Sequence, residues 1–213
     1  MKKKNSIFNY FIVFLVILIV LVAVWMLVDR KKDDSGKPYT VYNDFVIYED
    51  KDEKSLRYRV EIYADNIKYI HNFKRYPSDL LELNYEIGLK EKILYQDFEN
   101  SIKKEKIYFS YNPQMDGADI LTAGTLVQIL GNSNAGIYKI PVVVSVSEDN
   151  GNPDFPVKTC EDSTNKEMVI ELRYGEPKIY SDEECVIIQG NSREDFINMN
   201  DLLSYIILGV IEE

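Results

Sequence analysis

The chain has 213 residues, 25 of them lysine or arginine and 35 aspartate or glutamate, with 46% hydrophobic and 12% aromatic residues. That aromatic content supplies a core and argues against disorder. Residues 1–37 hold seven of the basic and three of the acidic residues, leaving 18 and 32 for residues 38–213, a net charge of −14. A body that negative repels phosphate backbones, so nucleic acid is not an expected partner.

Tyr10 to Val28, YFIVFLVILIVLVAVWMLV, is nineteen residues without a charge, proline or glycine. At ~1.5 Å per helical residue it spans roughly 28 Å, close to the hydrocarbon thickness of a bilayer. A single segment in lipid pairs its own backbone groups only as a helix. Tyr10 and Trp25 stand near its ends, where amphipathic rings favour the headgroup layer, with Lys2, Lys3 and Lys4 before it and Arg30, Lys31 and Lys32 after it. A cleaved signal peptide would have a shorter apolar region and small residues before the cut, whereas Ala23 here has Leu21 two positions before it. A soluble core helix would not carry basic clusters at both ends. The usual processing residues of a pilin-type signal are missing. The expectation is a membrane anchor, with the lipid bilayer as its partner.

Basic residues are balanced across the span, so the positive-inside rule does not decide the orientation. The short lysine-rich head matches a signal anchor with a cytoplasmic N-terminus. Two cysteines, an even number, and an acidic domain point the same way, to a domain outside the cell membrane.

Residues 29–40, polar with Gly36 and Pro38, read as a linker. Phe45 to Tyr48 is a short apolar run, EDKDEKS (49–55) a charged turn, and Leu56 to Tyr63 alternates with period two. Asp65-Asn66 turns the chain into a third strand, Ile67 to Phe73. Asp79 to Tyr85 is undecided between extended and helical, and Gly88 to Phe98 suits one modest helix.

From Ile107 strand and helix alternate. IYFSY (107–111) is a strand, Asp116 caps a helix over 117–130 that is apolar nearly all round, and Ile140 to Val146 is a strand whose valine run suits burial on both faces. These form a βαβ unit, with strands 107–111 and 140–146 expected as parallel neighbours. Met168 to Tyr174 is a strand, with a short return at Lys178 to Tyr180 folding back on it, and Cys185 to Gln189 is the last strand. Ser192 opens S-R-E-D, a capping-box pattern with Asp195 in the acidic place. The final helix runs to about Leu208, with Phe196, Met199, Leu203, Ile206 and Val210 facing the sheet and Gly209 as its stop.

The expected organisation is a cytoplasmic head and transmembrane anchor (1–28), a linker (29–40), a β-meander region (41–85) and an α/β region (86–213), the last two forming one globular unit. The fold class is α/β: a single transmembrane helix, then a domain with a mixed, partly parallel sheet flanked by helices and an N-terminal β-meander.

The runs TCEDST (159–164), VIELRYGEPKIY (169–180), ECVIIQG (184–190) and NDLLSYIILGVI (200–211) resemble a group of membrane-anchored archaeal envelope proteins. The asparagine–proline after strand 107–111 and YKIPVV (138–143) fit the same group. The last two strands and helix also resemble, more weakly, a module of archaeal S-layer-type proteins. The resemblance implies a location and envelope-protein partners; it carries over no catalytic residue.

Cys160 and Cys185 are the firmest candidate pair, read as a disulfide closing a loop of about 26 residues. The alternatives are two free buried thiols, or a metal or redox site. Zinc would need two more ligands, and the single histidine, His71, is remote in sequence. His71 lies in YIHNF without a nucleophile motif nearby and reads as a hydrogen-bonded strand histidine. The loop Glu148, Asp149, Asn150, Asn152, Asp154 is rich in oxygen ligands of the kind Ca²⁺ takes. It fails the EF-hand spacing, and any turn uses the same residues, so Ca²⁺ is the minor reading. NPQMDGAD (112–119) joins a strand end to a helix start, where anions often bind. Asp116 and Asp119 would repel a phosphate there, and a helix cap is the sufficient explanation. No cofactor is implied. The expected role is a non-enzymatic surface or interaction component, against two rivals: a carboxylate-based extracellular hydrolase and a module binding a peptide or envelope partner.

Overall fold

The structure is a computed structural model that describes Leu18, residues 38–51 and residues 56–212. Residues from Val41 onward form a compact unit of their own. Among the described residues no helix is long and apolar enough to cross a membrane. Of the expected anchor, Tyr10, Trp25, Val28 and all but Leu18 lie outside them.

The fold is mixed α/β. Strands β1 (Tyr39–Tyr42), β2 (Phe45–Lys51), β3 (Leu56–Ala64) and β4 (Ile67–Phe73) form a sheet in that order. β2, β3 and β4 pair antiparallel, with Ile47 opposite Val60 and Val60 opposite His71. Two hairpin turns, Asn43-Asp44 and Asp65-Asn66, hold both central residues at positive φ. Asn and Asp tolerate that region, and such turns match the twist of the flanking strands. Alternation buries Val60, Ile62, Tyr69, His71 and Phe73 and leaves Tyr63, Ile67 and Ile70 outside. The meander therefore has four strands rather than three. Its first strand starts inside the expected linker, and β2 continues to Lys51 through what reads as a charged turn. Backbone pairing with β3 overrides the charge of Glu49 and Asp50.

Pro77–Leu80 is a 3₁₀ turn, and Leu89–Leu94 (α1) is a helix of six residues. The modest helix expected to reach Phe98 stops there because Tyr95–Asp97 (β5) pairs with Ile102–Lys103 (β6).

The second sheet runs β10 (Lys178–Asp182), β11 (Cys185–Gly190), β9 (Glu167–Tyr174), β7 (Lys106–Tyr111), β8 (Val142–Val146). β7 pairs parallel with β8, Ile107 opposite Val142, and parallel with β9 on its other side. The expected βαβ unit is present. Its helix, however, is broken into Gly117–Ile120 (α2), a 3₁₀ turn Leu121–Ala123 and Gly124–Leu130 (α3). Thr122 Oγ1 donates to Asp119 O at 2.6 Å, a local bond that competes with the regular ladder, and Leu121 is left 78% exposed. β8 is not buried on both faces: it is an edge strand, and Val144 is exposed. β10 does not fold back on β9 either. It pairs antiparallel with β11, which lies between them and runs parallel to β9.

Arg193–Leu208 (α4) starts at Ser192, whose side chain accepts from Asp195 N at 3.2 Å while Asp195 Oδ2 accepts from Asn191 N at 2.9 Å. It ends at Gly209, φ 75°, a left-handed position that glycine occupies without a Cβ penalty. Phe196, Met199, Leu203, Ile206 and Val210 are buried as the periodicity expects, but so are Leu202, Tyr205 and Ile207. α4 packs on β11 and β10 from one side and against α3 and the 3₁₀ turn at Pro77, while α3 meets β4. The helices thus form a middle layer between two sheets, and one continuous core runs through all three layers. A helix in that position is apolar all round.

Candidate functional site

The connection leaving β7 goes over the helical layer to β8, while the one leaving β9 goes the opposite way, to β10 and β11. Ligands of open α/β sheets bind beyond the carboxyl ends of strands at such a divergence. A cleft of about 600 Å³ lies there, lined by Asn112, Ser147, Glu148, Thr159, Glu171, Arg173 and Tyr174 among others. Asn112 Nδ2 donates to Glu148 Oε1 at 3.3 Å. The adjoining helix start is closed by its own cap, Asp116 Oδ1 accepting from Ala118 N at 2.7 Å, and Asp119 Oδ2 accepts from Tyr174 OH at 2.9 Å.

The sheet face away from the helices is covered by the chain between β8 and β9. Ser110 Oγ donates to Lys158 O at 2.6 Å, and Ser163 Oγ donates to Glu184 O at 2.6 Å while accepting from Val169 N at 3.0 Å. A capping box between Thr159 and Asp162 shapes the turn that carries Cys160. Cys160 and Cys185 are bonded to each other, with Cα atoms 5.1 Å apart. The turn that carries Cys160 packs on β9 and β11, so it is the place of β11 beside β9, and not a hairpin of β9 with its return, that brings the two together.

Glu171 and Arg173 share this face with the disulfide. Glu171 is 5% exposed and accepts from Arg173 Nε at 2.6 Å and from Nη2 at 3.0 Å, a bidentate ion pair that holds the guanidinium above its usual range. Arg173 Nη2 also donates to Cys160 Sγ at 3.4 Å. One carboxylate oxygen of Glu171 and both sulfurs lie within 4.8 Å of one another, the one such grouping of three metal-ligand side chains among the described residues. Bonded sulfurs are not thiolates, so the group holds no metal in this oxidation state. Sequence reasoning missed Glu171 and Arg173. Their signal is two opposite charges two apart in the apolar run MVIELRY, on the face that Val169 shares.

His71 is wholly buried in the other sheet, far from these groups in the fold's layering, and desolvation lowers its pKa to about 4, with Gln128 beside it acting in the opposite sense; neither ring nitrogen has a partner at hydrogen-bond distance, so the hydrogen-bonded histidine expected there is not what the fold holds. Asp201, inside the apolar stretch of α4, was equally unmarked by motif. Burial raises its pKa to about 6, although its Oδ2 accepts from Lys74 N at 2.7 Å and Arg75 N at 2.9 Å. It lines a second cleft of about 300 Å³ together with Lys74, Thr125, Gln128 and Arg193, as the one carboxylate among the described residues there. In the loop considered for Ca²⁺, Asp149, Asn150 and Asn152 turn side-chain oxygens onto the backbone N–H of Gly151, Asn152 and Asp154. That is the turn chemistry of the residues rather than a converging ligand set. No family model, curated protein or solved structure matches the chain.

Proposed function

We propose that this chain is a single-pass membrane protein whose globular unit lies outside the cytoplasmic membrane and acts as a non-enzymatic envelope or surface component. The observation that carries the reading is the Cys160–Cys185 disulfide within that unit, a bond that persists in oxidising compartments. The apolar stretch 10–28 with basic residues on both sides supplies the anchor, and the resemblance to archaeal envelope proteins implies the same location. Protease added to intact cells should then remove the domain or trim it near residues 29–40. Full protection that disappears only on lysis would reverse the orientation.

A second reading, a module that pairs with an extended segment of an envelope partner, is favoured by β8. It ends its sheet with Val144 exposed, and its far end is bridged by Val157 at Val146. Mild crosslinking of intact cells should then recover the domain joined to a second protein through residues 142–146. Recovery of the domain alone would remove this reading.

A further inference from the structure

We propose that the Cys160–Cys185 bond is a thiol–disulfide exchange site, with Cys160 as the sulfur attacked by a dithiol, Arg173 as the residue that stabilises its thiolate and Glu171 as the proton carrier for Cys185. A bond that only braces a fold needs no charged neighbours. This one has a nearly buried carboxylate within 4.8 Å of both sulfurs and a guanidinium 3.4 Å from one of them. The two cysteines also differ. Cys160 is half-buried, in a turn next to Thr159, which lines the 600 Å³ cleft together with Glu171 and Arg173. Cys185 is fully buried. Cys160 is the less buried of the two and follows a residue of the cleft wall, so a reductant reaches the bond from the Cys160 side.

In the forward direction a thiolate of the dithiol attacks Cys160 Sγ. The Cys160–Cys185 bond breaks, and its electron pair leaves on Cys185 Sγ beside the Glu171 carboxylate. Two negative charges that close in a buried site disfavour each other, so Cys185 takes up the proton given up by the attacking thiol, passed through Glu171. The second thiol of the reductant, losing its own proton to solvent, then attacks the mixed disulfide at the reductant's sulfur. This forms the reductant's internal disulfide and releases Cys160 as a thiolate against Arg173. Two electrons move from the dithiol to the protein. In reverse, Glu171 removes the proton from Cys185 as that sulfur attacks the mixed disulfide. The site is independent of the side of the membrane on which it lies.

The test uses the folded full chain without denaturant. Dithiothreitol at pH 7 should reduce the bond completely, and iodoacetamide labelling followed by peptide mass spectrometry should then find Cys160 alkylated before Cys185. The pH midpoint of Cys160 alkylation should lie below the free-thiol value of about 8.5. Arg173→Gln should raise that midpoint by about one unit, roughly tenfold less thiolate at neutral pH, while Arg173→Lys keeps most of the depression. Glu171→Gln should slow reoxidation by oxidised dithiothreitol at pH 7 by at least about tenfold, with the rate recovering as pH rises. Reduction that occurs only in denaturant overturns the proposal. So does a Cys160 midpoint at or above 8.5 in the unmodified chain, a measurement that needs no variant to fold.

Discussion

Asp201→Asn is expected to make the domain more stable at pH 7 by about 3 kcal/mol, with the advantage vanishing near pH 4. Asp201 sits in α4 with its carboxyl buried, its pKa raised to about 6 from an ordinary value of 3.8. A carboxyl whose folded pKa is raised contributes stability at low pH that is lost as pH rises through the folded value. Asparagine resembles the protonated acid and still offers an oxygen to the N–H groups of Lys74 and Arg75. His71 acts in the opposite sense over nearly the same window. Its folded pKa of about 4 lies below the ordinary 6.5, so its contribution is present above pH 6.5 and lost as pH falls toward 4. Between pH 4 and 6 the unfolded chain carries a proton on His71 and the folded one carries it on Asp201. Their net proton uptake is near zero, so the two groups together leave the unmodified protein almost flat there. Asp201→Asn exposes the histidine alone, and stability should fall by about 3 kcal/mol from pH 6.5 to 4. His71→Gln exposes the aspartate, and stability should rise on the same acidification. Urea unfolding at pH 7, 6, 5 and 4 measures all three curves. Equal slopes for the two variants would refute the opposed pair.

Asp201 escapes a reading by motif, and the state of His71 escapes it too, because both are set by docking. The i, i+3, i+4 pattern of α4 marks Phe196, Met199 and Leu203, but Asp201 falls on what looks like the polar face. That face is covered by the link from β4 to the 3₁₀ turn, where Asp201 accepts two backbone N–H groups and Tyr205 OH donates to Arg75 O at 2.9 Å. Local alternation and turn residues made β3, β4 and the Asp65-Asn66 hairpin legible, and the strand–helix–strand spacing made the parallel β7–β8 pair legible. Those features depend on neighbours in the chain. The insertion of β11 between β9 and β10, and the edge position of β8, depend on which strands meet across the whole sheet. No period encodes that. The cysteine spacing pointed to the bond, whereas the charges beside it needed the register of β9 against the covering turn to bring them to the sulfurs.

Replacing both Cys160 and Cys185 by serine should lower the unfolding free energy by about 3.5 kcal/mol, the chain-entropy value for a loop closed across a separation of 25 residues. For a domain of this size that corresponds to a fall of roughly 10 °C in Tm. The bond ties the turn carrying Cys160 to the start of β11, and without it the unfolded chain regains the freedom of that loop. Reduction of the unmodified protein removes the same covalent link but leaves two sulfurs in place. If Arg173 holds the Cys160 thiolate in the folded state, the reduced protein at pH 8 should be less stable than the oxidised one yet more stable than the serine variant. The thiolate–guanidinium contact, absent from the unfolded chain, then offsets part of the lost loop constraint. Urea titrations of the three species, with dithiothreitol present for the reduced one, give the order directly. A serine variant as stable as the oxidised protein would refute the loop estimate. Reduced protein and serine variant agreeing within a few tenths of a kcal/mol at pH 8 would show that Arg173 does nothing for the free thiolate. In that case the guanidinium serves Glu171 alone.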